Sequence, residues 1–123
     1  MSNVGKILIV EDSLITSLHL EKLATSSGYS VCGKTDYAEE VQELCENEHP
    51  DLILMDIMLN GSMSGVDAAE KLRETGHSTA IIFISALSDA TTQSRIKEIE
   101  HSSHIAKPFD HHQLVSLIKE TLT

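Results

Sequence analysis

Leu52-Ile53-Leu54-Met55, followed at once by Asp56, is the stretch whose reading decides the fold. It has the length of a strand, shows no polar alternation, and ends on a carboxylate. A strand that is apolar on both faces has to be covered on both faces, which is the condition of a parallel sheet flanked by helices. Ile7-Leu8-Ile9-Val10 and Ile81-Ile82-Phe83-Ile84 have the same character. Ser30-Val31-Cys32-Gly33-Lys34-Thr35, which alternates with polar residues, and the short His104-Ile105-Ala106 suit the wetter edges of such a sheet.

Helical spacing fills the segments between these runs. Thr16, Leu20, Leu23 and Ala24 recur at i, i+4, i+7 and i+8, with Gly28 placed to end the helix. Ala38, Val41, Leu44 and Cys45 predict a second helix that stops before Pro50, and Ala69 and Leu72 a third closed by Gly76. Leu114, Leu117 and Ile118 mark the last, with Asp110 as its N-cap. The stretch from Asp89 to Glu100 has only Ile96 and Ile99 as strong apolar anchors, so its helix is expected to be the most weakly held. Five β-α units joined by right-handed crossovers give an α/β fold, a doubly wound five-stranded parallel sheet. The three most apolar runs belong in its middle, hence strand order 2-1-3-4-5, with residues 1–123 forming a single domain.

Composition narrows the function. The 123 residues carry a formal charge of −10, from nineteen acids and nine bases. That balance argues against binding a nucleic-acid backbone, which takes clustered Lys and Arg, and suits a cation or a basic partner surface. No apolar run approaches the roughly 20 residues needed to cross a bilayer, and the N-terminus lacks the regions of a signal peptide. Cys32 and Cys45 have no metal-ligand or redox spacing and read as reduced packing residues of a cytoplasmic protein.

In doubly wound sheets, chemistry gathers at the carboxyl ends of the strands. There the chain places Glu11-Asp12 after the first run, Asp56 after the third, Ser85 after the fourth and Lys107-Pro108 after the fifth. Each alone is more often a cap, a turn former or a solvated side chain; together at four of five strand ends they point to a site. Crowded carboxylates there would be offset by a hard cation such as Mg²⁺. One carboxylate could then attack phosphorus, with Lys107 and the Ser85 hydroxyl meeting the phosphoryl oxygens.

Through nearly its whole length the chain resembles the receiver domain of response regulators, whose fold is flavodoxin-like. The resemblance is carried by Ile7-Leu8-Ile9-Val10-Glu11-Asp12, Pro50-Asp51-Leu52-Ile53-Leu54-Met55-Asp56, Ser64-Gly65-Val66-Asp67, Ile84-Ser85-Ala86 and Ala106-Lys107-Pro108-Phe109. It implies that Asp56 accepts a phosphoryl group from a histidine kinase or phosphotransfer protein. It also implies that Asp12 and Asp56 ligate Mg²⁺ (or Mn²⁺) directly, that Glu11 acts mostly through water, and that the Met58 backbone carbonyl is a further ligand. Ser85 would swing towards the phosphoryl group, Lys107 would pair with it, and the Lys107-Pro108 peptide would be cis. The output surface would be the fourth helix, last strand and last helix, reached by a pull on the loop after Ser85. It would meet a downstream protein partner or a tethered output domain. No output domain follows Thr123, which suits a stand-alone regulator or a portion of a longer protein, as a monomer or weak homodimer.

Two departures stand out. The loop Ile57-Met58-Leu59-Asn60-Gly61-Ser62-Met63 lacks the proline of the common family form and is one residue longer, with Asn60-Gly61 expected to make its turn. His104 occupies the position of the family's switch aromatic, where it reads either as a pH-sensitive switch or as a partly exposed edge residue. Among rival functions, an aspartyl-phosphate phosphatase wants a second acid where this chain has Met58. An FMN carrier wants a neutral phosphate loop in place of Glu11-Asp12-Ser13-Leu14. The remaining alternative is an interaction module with this fold that works without phosphorylation. Leu14 and Leu18 share an outer face of the first helix and form a candidate contact surface. His111 and His112 point apart on a helix and read as solvated.

Overall fold

The computed structural model describes residues 5–86 and 89–123. In chain order the elements are β1 (Lys6–Val10), α1 (Leu14–Ser26), β2 (Ser30–Thr35), a 3-10 turn (Ala38–Glu40), α2 (Val41–Glu48), β3 (Leu52–Asp56), α3 (Gly65–Glu74), β4 (Ala80–Ser85), α4 (Ala90–Lys97), β5 (Ser102–Ala106) and α5 (His111–Leu122). The five strands are all parallel, in the order β2-β1-β3-β4-β5. The register sets Val10 beside Met55, Asp56 beside Ile84, and Ser85 beside Ala106, so the ends of β1, β3, β4 and β5 come out at one level.

Alternation along each strand divides the interior in two. Leu8, Val10, Ile53, Met55, Ile81 and Phe83 point to the side covered by α2, α3 and α4, where Val41, Cys45, Val66, Ala69, Leu72 and Ile96 meet them. Ile7, Ile9, Leu52, Leu54, Ile82 and Ile84 point to α1 and α5, against Leu20, Ala24, Leu114 and Ile118. Both faces of β1, β3 and β4 are therefore dry, as their unbroken apolar runs require. Full burial of one such side chain contributes about 1.5–3 kcal/mol.

The helices end where local chemistry stops them. Ser13 accepts a hydrogen bond from the Thr16 N–H at the start of α1, and Asp110 does the same for His112 and Gln113 at the start of α5. Ser64 and Asp67 form a reciprocal capping box on α3. Gly28 and Gly76, at φ of +96° and +89°, take the chain out of α1 and α3. The second helix begins later than its apolar spacing predicts, because Ala38 lies in the 3-10 turn. The fourth is also shorter than expected: it stops at Lys97, and Ile99 is buried from the following turn.

That fourth helix has Ile96 as its buried residue, yet it is not held by apolar contact alone. Arg95 reaches Asp67 at 2.7 Å and Glu70 at 2.6 and 3.1 Å, tying α4 to α3. Arg73 of α3 donates to the carbonyls of His77, Thr79 and Glu100 and so closes the base of the same layer. Cys32 and Cys45 are free, half-buried and buried respectively. Among the described residues no helix is long and apolar enough to cross a membrane.

Candidate functional site

At the carboxyl end of the sheet, the strand register assembles what the strand ends supply. Glu11, Asp56 and Ser85 are buried there, at 4%, 6% and 2% exposure, while Asp12 remains in contact with solvent. Ligand oxygens of Glu11, Asp12 and Asp56 all lie within 4.8 Å of one another, close enough for one cation to touch all three. Lys107, half-buried, enters from β5 and places its ammonium 3.0 Å from Glu11 Oε1 and 3.2 Å from Asp56 Oδ2. The Met58 N–H points back to Asp56 Oδ1 at 3.2 Å, and the Ser13 N–H holds Glu11 Oε2 at 3.1 Å.

The electrostatics follow from crowding in a half-dry cleft. Burial pushes the Glu11 carboxyl up to about 7; the Lys107 hydrogen bond opposes that rise, and the neighbouring Asp56 adds to it. Burial would lower the Lys107 ammonium, but its contacts with Glu11 and Asp56 outweigh that and raise it. Three acids facing one lysine form a site short of positive charge. An all-oxygen donor set of this kind fits a hard divalent cation that keeps some of its water.

The backbone around Asp56 explains two neighbouring residues. A Cβ on Gly65 would lie 2.1 Å from the Asp56 carbonyl oxygen, so only glycine lets the start of α3 come so close to the end of β3. The Gly65 N–H donates to the Ile57 carbonyl at 2.8 Å and closes the loop between them. Gly61, at φ +89°, makes the turn expected of Asn60-Gly61. The Met58 side chain is 71% exposed, so any metal contact by this residue falls to its backbone. The Lys107-Pro108 peptide is cis.

Asp12, Asp56, Met58, Ser85 and Lys107 line one cleft of about 340 Å³, together with Ile57, Ala86, Asp89 and Thr92. Asp89 and Thr92 are not among the residues that the strand ends bring to this cleft. Asp89 caps α4 through the Thr92 N–H at 2.7 Å, and an Asp just ahead of a helical stretch is the signal that could have found it. The loop after Ser85 passes through residues 87–88, so the expected pull on that loop lies partly outside the described residues.

His104 sits apart from the cleft, on β5 beside Phe83, half-buried and with a buried Nε2 that has no hydrogen-bond partner among the described residues. Leu14 and Leu18 are exposed as expected, and Ile15, at 83%, extends their patch. His111 and His112 are both exposed; His111 also packs edge-on against His19 of α1 at 4.5 Å, a contact their spacing could not show.

Comparisons with known proteins agree with this fold. The family model described as "Response regulator receiver domain" matches residues 7–119. The chain is 33% identical over 117 residues to the transcriptional activator protein IrlR of Burkholderia pseudomallei, covering 95% of this chain and 50% of that one. The chain thus spans about half the length of the first curated relatives it matches. It is 26% identical to the chemotaxis protein CheY of Thermotoga maritima, covering 94% of this chain and 95% of that one. Among solved structures, the signal receiver domain of a modulated diguanylate cyclase from Desulfovibrio desulfuricans superposes with a TM-score of 0.88 at 33% identity, covering 98% of this chain and 94% of that one. A CheY-like receiver domain protein from Methanospirillum hungatei gives 0.89 at 26%, with the same two coverages.

Proposed function

The chain belongs to the response-regulator receiver domain family of two-component signalling, and on that premise we propose that Asp56 is its phosphoacceptor, charged from a phosphohistidine with the help of Mg²⁺. The observation that carries the reading is the meeting of Glu11, Asp12, Asp56 and Lys107 at the end of one sheet, with Ser85 lining the same cleft.

Receiver domains bind Mg²⁺ in an acidic pocket, and Glu11, Asp12 and Asp56 form one here that could hold it. Asp12, Asp56 and the Met58 carbonyl would hold the ion directly, with Glu11 mostly through water. When bound, it would supply positive charge that mutes the repulsion between the carboxylate and the phosphoryl oxygens.

The chain's own groups do the rest. An Asp56 oxygen attacks phosphorus and forms the P–O bond. The P–N bond to the donor imidazole breaks, its electrons stay on nitrogen, and that nitrogen takes up a proton. The Met58 N–H holds Asp56 Oδ1 in place. Lys107, already on Asp56, pairs with a phosphoryl oxygen, and the Ser85 hydroxyl turns to another. The added charge of nearly two units then draws on the loop after Ser85, shifting the surface of α4, β5 and α5, with His104 as the switch residue on β5. The partners are a histidine kinase or phosphotransfer protein on one side and a downstream protein or tethered output domain on the other, the chain acting as a monomer or weak homodimer.

The test is intact mass after incubation with acetyl phosphate. Wild type should gain one phosphoryl group only when Mg²⁺ is present, and Asp56→Asn should gain none. An unmodified wild type whose spectrum is also unmoved by the beryllofluoride analogue would leave an interaction module that works without phosphorylation.

A further inference from the structure

The loop between β3 and α3 follows Asp56 directly and carries Met58, yet it contains no proline and turns on Gly61. Its far half is fastened from outside. Glu39, in the 3-10 turn ahead of α2, accepts from the Ser62 N–H at 3.2 Å and the Ser62 hydroxyl at 3.1 Å on one carboxylate oxygen. Asp36 accepts from the Asn60 side-chain amide at 3.2 Å, and Tyr37 and Asn60 form an isolated parallel bridge. The carboxylate lies flat against the glycine: a Cβ on Gly61 would stand 3.0 Å from both Glu39 oxygens.

Successive N–H groups beside a left-handed residue form a concavity that receives an anion. Here the anion belongs to the chain itself. The Glu39 carboxyl is held below the usual carboxylate range, first by its own backbone N–H and then, against the opposing effect of burial, by the N–H groups of Ser62 and Met63 and the Ser62 hydroxyl. The near half of the loop is tied to the site, through the Gly65 N–H on the Ile57 carbonyl and the Met58 N–H on Asp56. Leu59 and Met63 pack partly buried side chains on the core, while Met58 hangs in solvent and is positioned through its backbone.

We infer that Glu39 is a positioning residue for the cation site: by seating its carboxylate on Ser62 it fixes the loop that presents the Met58 carbonyl beside Asp56. This rests on the reading of Met58 and Asp56 as Mg²⁺ ligands. Glu39 does not touch the ion. It restricts the loop to the one path in which the backbone oxygen and the carboxylate can be used together, as outer partners of metal ligands do elsewhere.

Mg²⁺ titration calorimetry at fixed ionic strength, with a thermal melt of each variant, tests this. Glu39→Gln should weaken Mg²⁺ binding about tenfold, the low end of what outer partners of ligands cost, with an unchanged melt and a shifted Met58 amide resonance. Ser62→Ala, which keeps every charge, should weaken it about threefold, and the double variant should fall short of the product because both act on one contact. Glu43→Gln, an equal loss of charge on α2, should leave binding within about twofold, since exposed charges at a distance are screened. A wild type that fails to bind Mg²⁺ would remove the site reading itself. A wild type that binds, with Glu39→Gln binding equally well or weakened no more than Glu43→Gln, would overturn the positioning role. Should Glu39→Gln lower the melt, Ser62→Ala decides: unaltered Mg²⁺ affinity there also overturns it.

Discussion

α5 and α4 lie on opposite faces of the sheet, and they are attached by different physics. α5 buries Leu114 and Ile118 completely and packs Leu117 alongside them. α4 buries Ile96 and is also held by Arg95, whose two acidic partners sit on α3 with about two-fifths of each side chain exposed. Apolar burial is not screened by simple salts and does not depend on carboxylate titration, and it is lost only by lifting the helix off. An ion-pair network is directional and open to screening, and a new charge nearby can rearrange it. Asp67, one of those partners, also caps α3 through the Ser64 N–H, on the loop that begins at Asp56. A charge added at Asp56 is therefore better placed to move α4 than α5.

The contrast should show most strongly in Leu114→Ala. Emptying that fully buried position should cost about 2–5 kcal/mol of global stability, measured by denaturant unfolding and unchanged by salt. Arg95→Ala should cost only about 0.5–1 kcal/mol, as partly exposed pairs do. It should speed amide exchange in α4 far more than in α5, and added salt should bring wild-type α4 towards the variant. Equal exchange in both helices would break the distinction.

The smallest effect is expected from acid. The Arg95 hydrogen bond, followed by the Ser64 N–H, holds the Asp67 carboxyl below its usual value. A depressed folded value means the contribution is whole above the ordinary Asp value of about 3.9 and is lost as pH falls through the lower, folded one. Exchange in α4 should thus stay flat from neutral pH down to that range and rise only below it, after correction for the intrinsic pH dependence of exchange. A rise at higher pH would assign the attachment to other groups.

What was legible in the sequence follows the same division. The strands of the centre announced themselves, because Ile7–Val10, Leu52–Met55 and Ile81–Ile84 have to be dry on both faces and only one arrangement does that. Glu11, Asp12, Asp56, Ser85 and Lys107 were legible because each ends a strand or lies within two residues of its end, so sheet order alone brings them together. Arg95 with Asp67 and Glu70, and Glu39 with Ser62, were not legible. Their partners lie 23 to 28 residues apart in sequence, on elements whose relative rotation no periodicity records, and exposed acids are common without a role. The end of α4 was misjudged for a related reason: Ile99 is buried as a helix anchor would be, but from the turn.

On the proposed function the convergent acids make Asp56, and no other residue, the phosphoacceptor. Borohydride trapping after incubation with acetyl phosphate, followed by peptide mapping, reads this directly, because an acyl phosphate is reduced to an alcohol where it formed. One reduced site is expected, at Asp56, present with Mg²⁺ and absent without it. Reduction at Asp12 or Glu11 instead, or at Asp56 regardless of Mg²⁺, would contradict it.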